Sequence, residues 1–133
     1  MIAGTGSGCG KTTVTLAVLR AMQRRKIPLA AFKCGPDYID PMFHKAVLGI
    51  PSQNLDLFFI SEREVRGQIV RSIPQNGIGV IEGVMGFYDG VSGTTDTASA
   101  AHLARETGTP AILVVRPKGQ SLSLAAMLSG FRN

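Results

Sequence analysis

A glycine-rich segment near the N-terminus, GTGSGCGKTT at residues 4–13, constrains the fold more than any other feature. It is similar to a phosphate-binding loop, whose usual pattern G-x-x-x-x-G-K-[ST] has four residues between its glycines. Gly10–Thr12 match the end of that pattern, but Thr5 stands where the first glycine belongs, and Gly4 lies one residue too early. Such a loop joins a strand to a helix, so the segment predicts a β-loop-α unit with one extra loop residue.

Strand and helix patterns alternate along the chain. Short apolar runs typical of buried strands occupy residues 2–3, 28–33, 78–82 and 111–115, and helical apolar spacing occupies 12–25, 42–48, 61–73, 97–106 and 121–128. Strands separated by helices form β-α-β units with a parallel sheet. The sequence therefore predicts an α/β fold with flanking helices. Because the first strand is short and no strand follows the last helix, we expect residues 1–133 to be part of a larger domain.

Local patterns predict where two helices start. Ser61 and Glu64 have the spacing of a capping box, in which each residue bonds the backbone of the other. Asp96 or Thr95 is expected to cap the helix over 97–106, since short polar side chains are favoured at that position.

Two further segments allow structural predictions. Residues 34–41, CGPDYIDP, contain two prolines and a glycine and are predicted to form a loop. Phe58 and Phe59 are expected to lie in the core. Cys9 and Cys34 are too few for a disulfide framework or a four-ligand zinc site, so Cys9 is interpreted as a small residue that fills space in the glycine loop.

The composition excludes some function classes. The net charge is +5, but the only local cationic run is Arg24–Lys26, at a predicted helix end where positive charge favours the dipole. Nucleic-acid binding needs a clustered basic face, so an anionic small molecule is the better interpretation. No apolar run approaches the roughly 20 residues of a membrane span. We expect a cytoplasmic protein that binds neither membrane nor nucleic acid.

The glycine loop carries the first chemical prediction. Its glycines let backbone N–H groups approach phosphate oxygens, and the following helix directs its positive end at them. Lys11 would then reach the terminal phosphates and Thr12 would bind Mg²⁺. The alternative, a flexible Gly/Ser turn, does not explain why Gly-Lys-Thr falls at a predicted helix start.

Acidic residues follow two predicted strands. Lys33, Asp37 and Asp40 come after the second strand, at the sheet edge where α/β proteins bind ligands. The two aspartates suit Mg²⁺, or they are turn residues beside proline; the spacing leaves both open. Glu82 ends a buried strand, where an unpaired carboxylate would be costly, and this favours a functional role. Asp89, in a glycine-rich loop, could be a turn residue.

The remaining polar candidates are weaker. His44 and His102 lie on separate predicted helices, where a lone histidine is typically a surface or packing residue. Arg116 follows a predicted strand, where it could approach a nucleotide or be solvated.

Four segments in this order, GTGSGCGKTT, KCGPDYIDPMFH, PSQNLD and EGVMGFYDG, resemble the cobyrinate a,c-diamide synthase family. The resemblance runs from Ile2 almost to the C-terminus. It implies an ATP-binding synthetase domain with a fold similar to that of dethiobiotin synthetase, whose phosphate loop also carries the extra residue. It further implies a ligase of cobalamin biosynthesis that amidates the a and c carboxylates of cobyrinate or hydrogenobyrinate through an acyl phosphate.

The resemblance also implies residue roles. It implies that ATP contacts Gly6, Gly8, Gly10, Lys11, Thr12 and Thr13. It implies that Mg²⁺ contacts Thr12, Asp37 and Glu82. It implies that the reaction or its corrinoid substrate depends on Lys33, Asp40 and Asp89. Tyr38 and Ile39 are implied to influence the order of the two amidations.

The sequence departs from this family in one respect. Family members carry a C-terminal glutaminase domain that supplies ammonia, and nothing in residues 1–133 corresponds to it. We therefore expect residues 1–133 to be a partial synthetase domain, and a homodimer is compatible with the sequence. Two alternatives are another carboxylate-activating ATPase, such as dethiobiotin synthetase, and a partition-type ATPase switch. Partition-type ATPases carry a signature lysine at the position of Gly6, and the absence of that lysine argues against a switch.

Overall fold

The computed structural model describes residues 1–131 as one α/β unit. Five parallel strands form a sheet in the order β3-β2-β4-β1-β5. The strands are β1 (Ile2–Gly4), β2 (Leu29–Cys34), β3 (Ser52–Leu55), β4 (Ile78–Glu82) and β5 (Ile112–Val114). The helices are α1 (Lys11–Arg24), α2 (Ile39–Leu48), α3 (Glu62–Ser72), α4 (Ala100–Thr107) and α5 (Ser123–Gly130). The predicted parallel α/β fold is confirmed.

Apolar side chains cover both faces of the sheet. On one face, Phe32 of β2 belongs to a cluster with Val65 of α3 and Leu103 of α4. On the other face, Ala31 of β2 packs in a cluster with Leu19 of α1 and Leu48 of α2. Neighbouring residues of a strand point to opposite faces, so β2 is buried on both sides, as its continuous apolar sequence predicts.

Strand β1 is short but lies inside the sheet. Ile2 pairs with Glu82 of β4 on one side and with Ile112 of β5 on the other. The amide of Gly83 donates to the Ile2 carbonyl at 2.8 Å, which extends the contact between the two strands. The glycine loop that follows β1 is therefore supported from both sides.

Strand β3 is an edge strand that the sequence did not predict. Its sequence, SQNL, has polar residues at its first three positions, whereas strands are enriched in β-branched and aromatic residues. It pairs with β2 in parallel, with Ser52 opposite Ala31 and Asn54 opposite Lys33. Because β3 pairs with the last four residues of β2, its polar side chains lie near the carboxyl end of the sheet.

Two helix starts differ from the predictions. Residues 34–41 are not all loop, because α2 begins at Ile39. Pro41 then lies in the first helical turn, where the missing N–H leaves no bond unmade. Helix α4 begins at Ala100, and its cap is Ser99, whose Oγ accepts a bond from the His102 amide at 3.1 Å, instead of Thr95 or Asp96.

The capping box at α3 is confirmed, but the expected burial of two phenylalanines is wrong. The Ser61 amide donates to Glu64 at 2.9 Å, and the Glu64 amide donates to Ser61 Oγ at 3.3 Å. Phe58 and Phe59 are 63% and 72% exposed. Both residues lie in the turn between β3 and α3, so neither belongs to a strand or helix whose inner face packs against the core. Among residues 1–131, no helix combines the length and apolarity needed to cross a membrane.

Candidate active site

The glycine loop connects β1 to α1 and depends on three glycines. Gly8 and Gly10 have φ angles of 70° and 104°, in the left-handed region that glycine favours. A Cβ at Gly4, the last residue of β1, would collide with Cys9 Sγ. Gly4 is thus the close-packed glycine that opens the loop, and the loop accommodates its extra residue between Gly4 and Gly10.

Lys11 joins the glycine loop to the segment after β4. Its ammonium donates to the carbonyl of Gly6 at 2.8 Å and to that of Met85 at 2.6 Å, and the residue is buried. Met85 has a φ of 44°, which is rare for a residue with a side chain. Such strained backbone is typical of functional sites.

Thr12 lies at the start of α1 and contacts two acids. Its hydroxyl donates to Glu82 Oε1 at 2.6 Å and approaches Asp40 Oδ1 at 3.3 Å. These residues come from the carboxyl end of β4 and the first turn of α2. Three separate elements therefore converge next to the glycine loop.

Lys33 is buried at the centre of this convergence. Its ammonium lies 2.5 Å from Asp40, 3.3 Å from Glu82 and 3.6 Å from Asp37, and it donates to the Gly83 carbonyl at 3.0 Å. Burial alone would lower the pKa of Lys33, but the bond to Asp40 and the charge of Glu82 raise it above its ordinary value. Lys33 is therefore a cation here, with three carboxylates around one ammonium.

Glu82 ends β4 and is fully buried. Burial alone would raise its pKa, but hydrogen bonds from His44 and Thr12 and the charge of Lys33 lower the pKa of Glu82 to about 2. The carboxylate is thus ionised at neutral pH. The cost of burying an unpaired charge, which made Glu82 a candidate from the sequence, is avoided because both oxygens have partners.

The His44 side chain belongs to the site, although its position in the sequence favoured a surface or packing residue. It is fully buried on α2, with Nε2 3.0 Å from Glu82 Oε2 and Nδ1 2.9 Å from Ser52 Oγ. A single histidine at a helical position gives no sign of these partners, since Ser52 and Glu82 come from other strands.

Asp37 combines the two interpretations that the sequence left open. Its Oδ1 accepts a bond from the Ile39 amide at 2.9 Å, which is a local turn. Its Oδ2 lies 3.6 Å from Lys33, so the same side chain also belongs to the acidic cluster. Asn54 of β3 supports this loop because its amide nitrogen donates to the carbonyls of Gly35 and Asp37, each at 2.7 Å.

A cleft of about 440 Å³ lies over the glycine loop and the acidic cluster. Its walls are formed by Ser7, Gly8, Gly10, Lys11, Thr12, Thr13, Lys33, Asp37, Asp40, Glu82, Val84 and Met85. The structure therefore brings together most of the predicted site residues. Two of the predicted site residues, Gly6 and Asp89, lie outside this cleft. Gly6 lines a neighbouring pocket together with Arg116 and Lys118. Asp89 lies in the loop beyond the cleft, where its carboxylate accepts a hydrogen bond from the Gly86 amide at 2.8 Å.

The donor set of the cleft fits a magnesium ion. Mg²⁺ prefers oxygen ligands, commonly one or two carboxylates together with substrate phosphates. The carboxylates of Asp37, Asp40 and Glu82 and the hydroxyl of Thr12 supply such oxygens. Three carboxylates surround the ammonium of Lys33, so negative charge remains for a divalent cation to balance.

Comparison with known proteins identifies the family of this chain. A family model described as the CobQ/CobB/MinD/ParA nucleotide binding domain matches residues 1–119, and the chain belongs to that family. A cobyrinate a,c-diamide synthase of Salmonella typhimurium is 46% identical over 133 residues, which are 100% of this chain and 29% of the relative. That of Clostridium acetobutylicum is 48% identical over 134 residues, 100% of this chain and 30% of the relative.

A third relative, the cobyrinate a,c-diamide synthase of Thermoplasma acidophilum, is 42% identical over 132 residues, which are 99% of this chain and 30% of the relative. The chain thus spans roughly 30% of the length of the relatives it matches.

Proposed function

We propose that this chain is the ATP-binding part of a cobyrinate a,c-diamide synthase, an ATP-dependent carbon-nitrogen ligase of cobalamin biosynthesis. The observation that supports it most is the meeting of Thr12, Lys33, Asp40 and Glu82 beside the glycine loop. Similarity over the whole chain to relatives of that name supports cobyrinate as the substrate. The related hydrogenobyrinate is the alternative substrate in this proposal.

The glycine loop and Lys11 bind the phosphates of ATP in this proposal. Backbone N–H groups at the start of α1 and the Lys11 ammonium are donors for phosphate oxygens. Thr12, Asp37 and Glu82 hold Mg²⁺, which supplies charge neutralisation on the phosphates. The Lys11 ammonium, now bonded to the carbonyls of Gly6 and Met85, would exchange those carbonyls for phosphate oxygens.

The chemistry is carboxylate activation followed by amidation. A carboxylate oxygen of the tetrapyrrole attacks the γ-phosphorus of ATP, and the bond to ADP breaks, which leaves an acyl phosphate. Ammonia then attacks the acyl carbon, inorganic phosphate leaves with the bonding electron pair, and the nitrogen loses a proton to give the amide. The protein contributes positioning and charge stabilisation, which dominate in phosphoryl transfer.

Lys33 and Asp40 are assigned to the reacting groups. In this proposal the Lys33 ammonium stabilises negative charge on the transferred phosphoryl group, and Asp40 holds that ammonium in place; their 2.5 Å contact supports the second role. Asp89, which lies beyond the cleft, is assigned to binding of the corrinoid substrate. Ammonia comes from glutamine through a glutaminase domain that lies outside residues 1–133.

An amidation assay tests the proposal. The full-length protein is incubated with ATP, Mg²⁺, ammonium chloride and either cobyrinate or hydrogenobyrinate, and mass spectrometry follows conversion of the two carboxylates to amides. Ammonium chloride replaces the glutaminase, so a failure of ammonia supply does not hide activity. Mono- and diamide that form only with ATP support the proposal. ATP-dependent dimerisation without any amide would contradict it and favour the partition-type switch.

A further inference from the structure

A buried hydrogen-bonded chain runs from the edge of the sheet to the acidic cluster. It starts at Ser52 on β3, passes through the His44 ring on α2 and ends at Glu82 on β4. His44 and Glu82 are both fully buried. None of the functional roles assigned above requires His44 or Ser52.

The chemistry of the two ends fixes the proton on the His44 ring. A carboxylate only accepts hydrogen bonds, so Nε2 carries the hydrogen that bridges the 3.0 Å to Glu82 Oε2. The Ser52 hydroxyl can donate or accept, and it satisfies Nδ1 at 2.9 Å. The register of β3 on β2 holds Ser52 opposite Ala31, so the ring is held at both nitrogens by rigid strands.

The ring decides which oxygen of Glu82 faces the cleft. Oε2 is held by His44, while Oε1 lies 2.6 Å from Thr12 Oγ1 and 3.3 Å from Lys33 Nζ. A carboxylate with one oxygen anchored in this way cannot rotate freely about its terminal bond. The oxygen presented to the cleft is therefore preorganised.

Helix geometry couples His44 to a second acid. His44 follows Asp40 by four residues on α2, so the two side chains lie on one face of the helix. Asp40 contacts Thr12 and Lys33, as Glu82 does. The His44 anchor thus fixes α2 against β4 at the point where both acids meet.

We propose that His44 is a positioning residue that orients Glu82 for magnesium binding and holds α2, which carries Asp40, against β4; this inference depends on the metal role given to Glu82 in the proposed function. Partners behind a metal ligand are known to orient it, and their loss typically costs about 10–100-fold in metal affinity or activity. Ser52 is the residue that fixes the His44 ring.

Matched amide substitutions test this inference. The amide nitrogen of glutamine reaches about as far as Nε2 of histidine, so His44→Gln keeps a donor toward Glu82. Asparagine reaches only as far as Nδ1, so His44→Asn loses that donor. Ser129→Ala, on α5 and outside the cleft, removes a hydroxyl that donates to the Ala125 carbonyl at 2.9 Å and serves as the control for Ser52→Ala. Ser52→Ala removes the outer end of the chain.

The measurement is the affinity of the full-length protein for Mn²⁺ in the presence of ATP, by electron paramagnetic resonance, with Mn²⁺ as a probe for Mg²⁺. We expect His44→Asn to raise the Kd for Mn²⁺ by about 10–100-fold. His44→Gln should restore most of the affinity, Ser52→Ala should weaken it in the same direction as His44→Asn, and Ser129→Ala should leave it unchanged. Thermal unfolding of each variant reports on packing separately.

Two results would overturn the inference. One is an unchanged Mn²⁺ affinity in His44→Asn. The other is an equal loss in His44→Asn and His44→Gln that parallels a loss of thermal stability, because this would make His44 a packing residue only. Amidation is measured on the same preparations: a wild-type protein that binds Mn²⁺ and ATP but forms no amide contradicts the proposed function and leaves the His44 comparison intact.

Discussion

Replacement of Glu82 by glutamine tests the electrostatics of the site through stability. Glu82 is fully buried, and His44, Thr12 and Lys33 bind its ionised form. They lower its pKa from 4.5 to about 2. Each pKa unit corresponds to about 1.36 kcal/mol, so folding favours the carboxylate over the protonated acid by roughly 3 kcal/mol at pH 7, relative to the unfolded chain. Glutamine resembles the neutral acid, so we expect Glu82→Gln to lower the free energy of unfolding by about that amount.

The pH dependence of this difference gives the sharper test. A depressed pKa contributes stability that is fully present above the unfolded value, here 4.5, and is lost as the pH falls towards about 2. Urea unfolding of both proteins at pH 7, 5.5, 4.5 and 3.5, without divalent cations, should show a constant difference at the two higher values and a shrinking one below. Glu106→Gln, at an exposed pair with Arg66, serves as control and should cost at most about 1 kcal/mol. A difference that does not vary with pH, or a variant as stable as wild type at pH 7, would refute the reasoning.

Three further substitutions have expected outcomes. Lys11→Ala should weaken ATP binding at least several-fold in calorimetry, because a charge-assisted phosphate contact is lost; unchanged affinity would contradict the role of the loop. Gly10→Ala should also weaken ATP binding, because its φ of 104° is strained for any other residue, whereas Gly130→Ala on α5, where a Cβ meets nothing, should not. Phe58→Ala should change the free energy of unfolding by less than about 1 kcal/mol, and Phe32→Ala by about 3–5 kcal/mol, since only Phe32 is buried; similar losses would disprove the assignment of the core.

The fold followed from local sequence because the patterns and the structure agree at most elements. Strands β2 and β4 are continuous apolar runs, as parallel strands buried on both faces require. The Ser61 capping box fixed the start of α3. Strand β3 was missed because SQNL lacks residues typical of strands, and only its pairing with β2 makes it one.

Site residues could be predicted from the sequence where the residue type is unusual for its position in a strand or loop. Glu82 could be identified because a charge at the end of a buried apolar strand needs a partner. Lys11 could be identified because it follows the glycine loop at a predicted helix start. His44 could not be, because its partners Ser52 and Glu82 are separated from it by 8 and 38 residues and approach it only in the folded sheet. The sequence likewise could not show that Asp37 is both a turn residue and a member of the acidic cluster.

The fate of a labelled carboxylate oxygen tests the central claim most directly. Cobyrinate or hydrogenobyrinate labelled with ¹⁸O in its carboxylates is amidated by the full-length protein with ATP, Mg²⁺ and ammonium chloride, and the inorganic phosphate is analysed by mass spectrometry. Carboxylate activation predicts that one ¹⁸O passes from each amidated group into phosphate, and that Glu82→Gln sharply reduces the yield of labelled phosphate. Amide formation with unlabelled phosphate would contradict the acyl-phosphate route and the role given to this cleft.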